Sequence, residues 1–296
     1  ESLTAQYDWV DDIKSRLQLE DSNATICLLD TGVSSAHPLL EPFIKKQDIH
    51  TVFDDGDLSD YGGHGTGMAG VALYQDLNLS LLSRDIISIP YRIESSKILR
   101  NQNNDSELYG AITAQGILFN EIENPDKDRS ICMAVTTDAT DGLPTSWSGA
   151  IDEIVSGVNV SSGDNENKRL MLISAGNALP SDLIEINYPD VNINSYVQNP
   201  GQSWNALTVG AYNSKIKIHD TDFLGYQPVA DVGELSPYSS TSVLWDNKWP
   251  IKPEILMDGG NIAYKDNFYS NCDDLSLLTT NDKLSENLFS TIWATS

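Results

Sequence analysis

The sequence predicts an α/β protein of three layers, in which a mostly parallel sheet carries helices on both faces. Two observations support this class. Short, continuously apolar runs have the length of strands that are buried on both sides, and they alternate with longer stretches of helical periodicity. The chain has 296 residues, enough for one large core, and no Pro-rich or Ser-rich linker divides it. We therefore expect one domain over residues 1–296.

The predicted elements follow from these runs in chain order. An amphipathic helix over residues 9–19 comes before the first strand. Strands are predicted over residues 24–29, 131–135, 170–173 and 207–209, and helices over residues 109–122 and 148–155.

Asp30 stands at the carboxyl end of the first predicted strand. In open α/β sheets this end collects the loops that bind ligands, and Thr31-Gly32 supplies a turn directly afterwards. An aspartate here also fits a plain loop cap, so its neighbours in the fold must decide its role.

His64 lies in a glycine-rich setting, GGHGTGMAG, which predicts a helix that begins close to other backbone. The positive end of a helix dipole disfavours the protonated imidazole, so a buried carboxylate would be needed to stabilise it. Asp30 is our candidate for that carboxylate. The other histidines, His37, His50 and His219, have no such surroundings and are predicted to be loop or surface residues.

Residues 65–70 also satisfy the GxGxxG pattern of dinucleotide-binding folds. That fingerprint needs a strand directly before its first glycine, whereas a polar loop stands here. No basic residue occurs between Lys46 and Arg84 to hold a phosphate. A nicotinamide enzyme is therefore only a distant alternative.

Two further residues suit acyl transfer. Asn177 ends the run LMLISAGN, where small residues admit a substrate backbone and the amide can donate to an oxyanion; a plain turn is the alternative. Ser296 is the candidate nucleophile, which a histidine would activate. Ser242 is a rival, but Asp246, Asn247 and Pro250 follow it and predict a loop, so we favour Ser296.

The order of Asp30, His64, Asn177 and Ser296 resembles the four catalytic positions of the subtilisin-like serine peptidases, the subtilases. Residues 60–70, 204–211, 239–240 and 252–255 resemble other segments of that family. The resemblance implies a serine endopeptidase with an Asp-His-Ser triad and an asparagine in its oxyanion hole, which requires no cofactor.

The resemblance also implies where a substrate binds. Residues 130–136 look like the strand that pairs with an extended substrate backbone. Thr136 stands where the family usually has glycine near the mouth of its first specificity pocket, so we expect this pocket to disfavour large aromatic side chains. The implied substrate-binding residues are Ala134, Val135, Thr136, Ser174, Ala175 and Gly176.

Several positions depart from the family pattern. Gly67 and Met68 follow the histidine motif, and Ala294 stands where glycine is usual before the serine. The family's helix begins at the nucleophile, so we expect the sequence to be truncated at Ser296. The alternative hypothesis is a catalytically inactive subtilase-like domain that binds extended peptides or a partner protein through the same groove.

The net charge of the chain limits which classes of partner it can bind. With 18 basic and 43 acidic residues the formal net charge is −25, which argues against nucleic acid and anionic membranes and leaves a protein or peptide substrate. No regulatory partner is indicated. The acidic clusters at residues 54–57 and 273–274 are candidates for calcium, but they lack the ligand spacing of a known calcium loop, and we interpret them as solvated loops.

Three cysteines, an odd number, predict no disulfide framework. Cys27 and Cys132 lie in apolar strands and Cys272 in a polar loop. The sequence shows no membrane-length apolar run. A cytoplasmic protein is our prediction; because the chain opens at Glu1 without methionine, a secreted mature form is the alternative.

Overall fold

The computed structural model of the chain describes residues 2–100, 104–138, 141–157, 168–178 and 180–295, without the side chains of Pro180 and Asp182. The chain divides into two compact units. The first comprises Glu1–Met133 and Leu278–Thr291, and the second comprises Ala134–Leu277 and Ile292–Ser296.

Among the described residues, the α-helices end by Asn194, and the last seven strands follow them. The helices are α1 Leu3–Arg16, α2 His64–Tyr74, α3 Leu77–Leu82, α4 Tyr109–Glu123, α5 Ser146–Ser156 and α6 Asp190–Asn194. The strands are β1 Leu17–Leu19, β2 Ala24–Asp30, β3 Ile49–Thr51, β4 Ile87–Ile89, β5 Arg92–Lys97, β6 Asp128–Met133, β7 Leu170–Ser174, β8 Leu207–Tyr212, β9 Gln227–Pro228, β10 Ile255–Asp258, β11 Ala263–Lys265, β12 Phe268–Ser270, β13 Leu277–Thr280 and β14 Phe289–Ile292.

The first unit is built on four parallel strands in the order β3-β5-β2-β6. Leu28 of β2 lies in one core cluster with Ala69 and Leu73 of α2. The neighbouring Leu29 instead faces Gly116 of α4, where an added Cβ would lie 3.2 Å from its Cδ2. Because alternate residues of a strand point to opposite faces, α2 and α4 cover opposite faces of β2. The predicted layering with helices on both faces is confirmed here.

The second unit carries three more parallel strands, with β8 between β7 and β10. Strands β9, β11 and β12 form a separate antiparallel sheet. Helix α5 begins with a capping box, in which the side chains of Thr145 and Ser148 each accept from the other's backbone N–H. A buried cluster that includes Tyr238, Val191 and Ala178 packs beside the end of β7.

Most predicted elements are confirmed, but the bounds of α1 and β6 differ from the prediction. Helix α1 begins at Leu3 because the Ser2 side chain accepts from the N–H of Ala5 and caps it. It ends at Arg16, since Leu17–Leu19 pairs with β4 as a strand. Strand β6 ends at Met133, so residues 134–136 lie beyond the strand that was predicted to include them.

Three side chains are more buried than we expect from the sequence. His37 is fully buried, with its Nε2 2.8 Å from the carbonyl oxygen of Leu288. His50 is partly buried within β3, and His219 is an exposed loop residue as predicted. Cys272 is buried although its loop is polar, and all three cysteines are free. None of the helices among the described residues has the length and apolarity needed to span a bilayer.

Candidate active site

Asp30 ends β2 on the face that α2 covers. The residue is buried, and one of its carboxylate oxygens accepts from the N–H of Thr31 at 2.7 Å. Helix α2 approaches closely because Gly65 has no side chain: a Cβ there would lie 2.1 Å from the carbonyl oxygen of Gly32 and 3.2 Å from the Cβ of Asp30. The glycine-rich sequence therefore serves the approach of the helix to Asp30.

His64 is the first residue of α2, as predicted, and it meets Asp30 directly. Its Nδ1 lies 2.8 Å and 2.9 Å from the two carboxylate oxygens of Asp30. The His64 side chain is 34% exposed, whereas that of Asp30 is 3% exposed. With Nδ1 donating to the carboxylate, the neutral ring carries its accepting lone pair on Nε2.

The surroundings of His64 favour its protonated form. Burial lowers the pKa of His64, but the charge and hydrogen bond of Asp30, together with the charge of Asp60, outweigh that effect and raise the pKa above its ordinary value. The imidazole is therefore a stronger base than a free one.

No role was predicted for Asp60, whose charge also acts on His64. It is 8% exposed. One oxygen accepts from the N–H and the hydroxyl of Thr66, at 2.8 Å and 2.6 Å. The other accepts from the N–H groups of Gly62 and Gly63 and from the hydroxyl of Thr31, which lies 2.9 Å away and is also 3.2 Å from Asp30. An acidic residue just before a predicted helix start was the available signal.

Asn177 follows β7 in the second unit, after Gly176 in the left-handed region at φ 87°. Its Oδ1 accepts from the backbone N–H of Thr295 at 3.0 Å and lies 2.8 Å from the Thr295 hydroxyl. That hydroxyl is also 2.7 Å from the Ser174 hydroxyl. Since Oδ1 is turned toward Thr295, the Nδ2 donor points to the other side of the amide. Ser296 itself lies outside the described residues.

The implied substrate-binding residues fall into two segments of the second unit. Ala134, Val135 and Thr136 follow the end of β6, and the Thr136 hydroxyl donates to Oε1 of Gln198 at 2.7 Å. Ser174 and Ala175 are buried at the end of β7. The remaining member of the second segment is Gly176. Gln198 is a second residue that sequence reasoning missed.

The acidic clusters are engaged with protein groups. Asp55 pairs with Arg100, and Asp57 pairs with Lys97 at 2.8 Å. An oxygen of Asp274 accepts from the backbone N–H groups of residues 219 and 220. In the part of the chain that the structure describes, no group of three or more His, Cys, Asp or Glu side chains is arranged to hold a metal ion.

The pattern GxGxxG at residues 65–70 lies inside α2, after a loop. Its last glycine is required by packing, because a Cβ on Gly70 would lie 2.3 Å and 2.5 Å from the hydroxyls of Thr279 and Thr280 in β13. Gly65 and Gly70 make room for neighbouring protein atoms, so this pattern gives no support to a nicotinamide enzyme.

The model of the subtilase family matches residues 21–296 of the chain. The chain belongs to the subtilase family. This subtilase is accordingly a serine peptidase of the hydrolase class, and its family acts on proteins or peptides. Among curated protein sequences, none matches it significantly.

Solved structures share the fold at low sequence identity. A lanthipeptide protease has 18% identity and a TM-score of 0.56, over 93% of this chain and 69% of that one. The nisin leader peptidase NisP from Lactococcus lactis has 14% identity and a TM-score of 0.54, over 97% and 80%. The epidermin leader peptide processing protease EpiP from Staphylococcus aureus has 13% identity and a TM-score of 0.52, over 99% and 64%. The mostly parallel α/β fold is thus that of subtilisin-like proteases.

Proposed function

We propose that this subtilase is a serine endopeptidase whose nucleophile is Ser296. The hydroxyl of Ser296 attacks the scissile carbonyl while Nε2 of His64 takes its proton, and the same nitrogen later protonates the leaving amine. Asp30 holds the ring and stabilises the imidazolium that forms. The Nδ2 of Asn177 and the backbone N–H of Ser296 donate to the oxyanion.

The contact between His64 and Asp30 is the observation that carries this proposal. A serine hydroxyl is a poor nucleophile until a neighbouring base accepts its proton. The buried carboxylate of Asp30, 2.8 Å from Nδ1, selects the tautomer in which Nε2 is that base. The exposed third of the His64 side chain leaves the ring accessible from solvent.

The environment of Asn177 supports its proposed part. Its Oδ1 is held by the N–H of Thr295, the residue directly before Ser296 in the chain. This hydrogen bond orients the amide so that Nδ2 remains as a donor. One such donor contributes about 3–4 kcal/mol to transition-state stabilisation in related chemistry.

The substrate in this proposal is an extended segment within a protein or peptide. Its backbone would pair with residues 134–136, and its side chains would be read alternately by pockets. The proposed steps need no cofactor. The free cysteines support a reducing compartment, and we keep the cytoplasm as the proposed location.

Labelling with a fluorophosphonate probe tests the proposed nucleophile. The wild-type chain is compared with His64→Ala, Ser296→Ala and, as a matched control, His219→Ala, which alters an exposed loop histidine. We expect one adduct per chain at Ser296 by peptide mass mapping, lost in the first two variants and retained in the control. Absence of labelling in folded wild-type protein that still binds extended peptides would instead support the catalytically inactive binding domain.

A further inference from the structure

Gln198 links the two proposed substrate-binding segments. Its Oε1 accepts from the hydroxyl of Thr136 at 2.7 Å and from the N–H of Asn177 at 3.3 Å. Its Nε2 donates to the carbonyl oxygen of Asn177 at 3.3 Å. One side chain therefore spans from residues 134–136 to the proposed oxyanion asparagine.

Backbone contacts fix the position of this side chain. The N–H of Gln198 donates to the carbonyl oxygen of Ala175 at 2.9 Å. The side chain then lies flat against Gly176, where an added Cβ would be 2.3 Å from Oε1 and 2.5 Å from both Cβ and Cδ of Gln198. Gln198 is thus held at its backbone, along its stem and at its amide.

The adjacent residue strengthens the same link. The carbonyl oxygen of Asn199 accepts from the N–H of Thr137 at 2.8 Å, and the N–H of Asn199 donates to the carbonyl oxygen of Asp138 at 3.1 Å. Residues 198–199 therefore connect the end of β7 with the segment after β6.

A substrate residue whose carbonyl oxygen reaches Nδ2 of Asn177 has its own side chain only two bonds from that carbonyl carbon. In the proposed function residues 134–136 and 174–176 bind the substrate, so this side chain would enter between them. Resting on the proposed function, we infer that Gln198 closes this pocket and restricts it to small or short polar substrate side chains, such as those of alanine and serine.

The hydrogen-bond partners of Gln198 make its displacement costly. A large aromatic side chain would have to displace its amide, which would leave the hydroxyl of Thr136 and the backbone groups of Asn177 without their present partners. Polar groups that lose a partner in a closed site carry a substantial desolvation cost. A short hydroxyl side chain can instead accept from the second proton of Nε2.

Cleavage of a peptide library, varied at the residue before the scissile bond, tests the inference. Wild-type protein is compared with Gln198→Ala and with Gln227→Ala, the same change at an exposed position of β9. We expect wild type to cleave after alanine and serine. In Gln198→Ala the ratio of kcat/KM for phenylalanine over alanine should rise by about tenfold or more, while Gln227→Ala retains the wild-type ratio. Gln198→Glu, which keeps the side-chain length, should shift preference toward lysine and arginine.

Binding to the Ser296→Ala protein separates this inference from the proposed chemistry. Peptides that end in alanine, serine or phenylalanine are titrated against it, with and without Gln198→Ala. Selective binding that Gln198→Ala reverses, with no hydrolysis by wild type, would retain the pocket and reject the catalysis. Hydrolysis whose preference is unchanged in both Gln198 variants, or that occurs mainly after phenylalanine or tyrosine in wild type, would overturn the pocket. With neither hydrolysis nor selective binding, both proposals fail.

Discussion

The two units contain clusters of different electrostatic character, one acidic and one neutral. In the first unit, the residues around His64 are held by the buried carboxylates of Asp30 and Asp60. In the second unit, the residues around Asn177 are held by neutral amides and hydroxyls, mainly those of Gln198 and Thr295. The first arrangement controls where a proton resides, whereas the second positions donors without adding charge.

This difference has a physical reason. A buried carboxylate is tolerated only when several donors satisfy it, and Asp60 accepts hydrogen bonds from five groups. A buried neutral amide that loses a hydrogen-bond partner costs less free energy than a buried carboxylate that loses one. Substitutions in the first unit should therefore change the pH dependence, while neutral substitutions in the second should change rate or specificity at all pH values.

The largest effect is expected for Asp30→Asn. Asparagine keeps the shape but lacks the charge that stabilises the imidazolium, and its amide favours the wrong tautomer of His64. We expect kcat to fall by about 10⁴-fold, by analogy with the corresponding change in another serine protease. Steady-state peptide hydrolysis measures it, with Asp54→Asn in the exposed loop as the control. A loss below about tenfold would contradict the assigned role of Asp30.

A smaller loss is expected for Asn177→Ala. Removing the oxyanion donor should lower kcat by about 10²–10³-fold without moving the pH profile, because no charge changes. Asn177→Asp is the discriminating variant, since it retains an oxygen for the N–H of Thr295 but has no Nδ2 donor. If Asn177→Asp kept near wild-type kcat, holding Thr295 would be the function of this side chain, and the oxyanion role would be lost.

The smallest effect on rate is expected for Asp60→Asn. Its main result should be a shift of the pH–rate profile. The charges of Asp30 and Asp60 raise the pKa of His64 against the opposing effect of burial, so removing one of them lowers that pKa. Because the general base acts in its neutral form, the acid limb of kcat/KM should move to lower pH. Titration of the His64 ring by NMR measures the pKa directly.

The same Asp60→Asn variant should also be less stable. An asparagine amide presents only one acceptor oxygen to the donors that Asp60 now satisfies, and the free energy of unfolding should fall by about 1–3 kcal/mol. Urea unfolding measures this loss, and Asp54→Asn again serves as the control. An unchanged titration of His64 in a folded Asp60→Asn protein would show that Asp60 acts on the loop alone.

Sequence-based prediction succeeded where local patterns govern structure. The apolar run before Asp30 became β2, and the glycine-rich segment at His64 became the start of α2. It failed where a partner distant in sequence decides the conformation. Residues 17–19 leave the helical pattern to pair with β4. The ring of His37 is buried, where its Nε2 donates to the carbonyl oxygen of Leu288.

By itself, the sequence determined the family and the positions of Asp30, His64 and Asn177, because strand ends, helix starts and turns depend on residues close in the chain. Only the tertiary structure decided what surrounds them. Gln198 meets a threonine 62 residues away, and Asn177 meets one 118 residues away. Such contacts are selected when the packing of whole strands and helices brings distant side chains within hydrogen-bonding range, and local propensity carries no information about them.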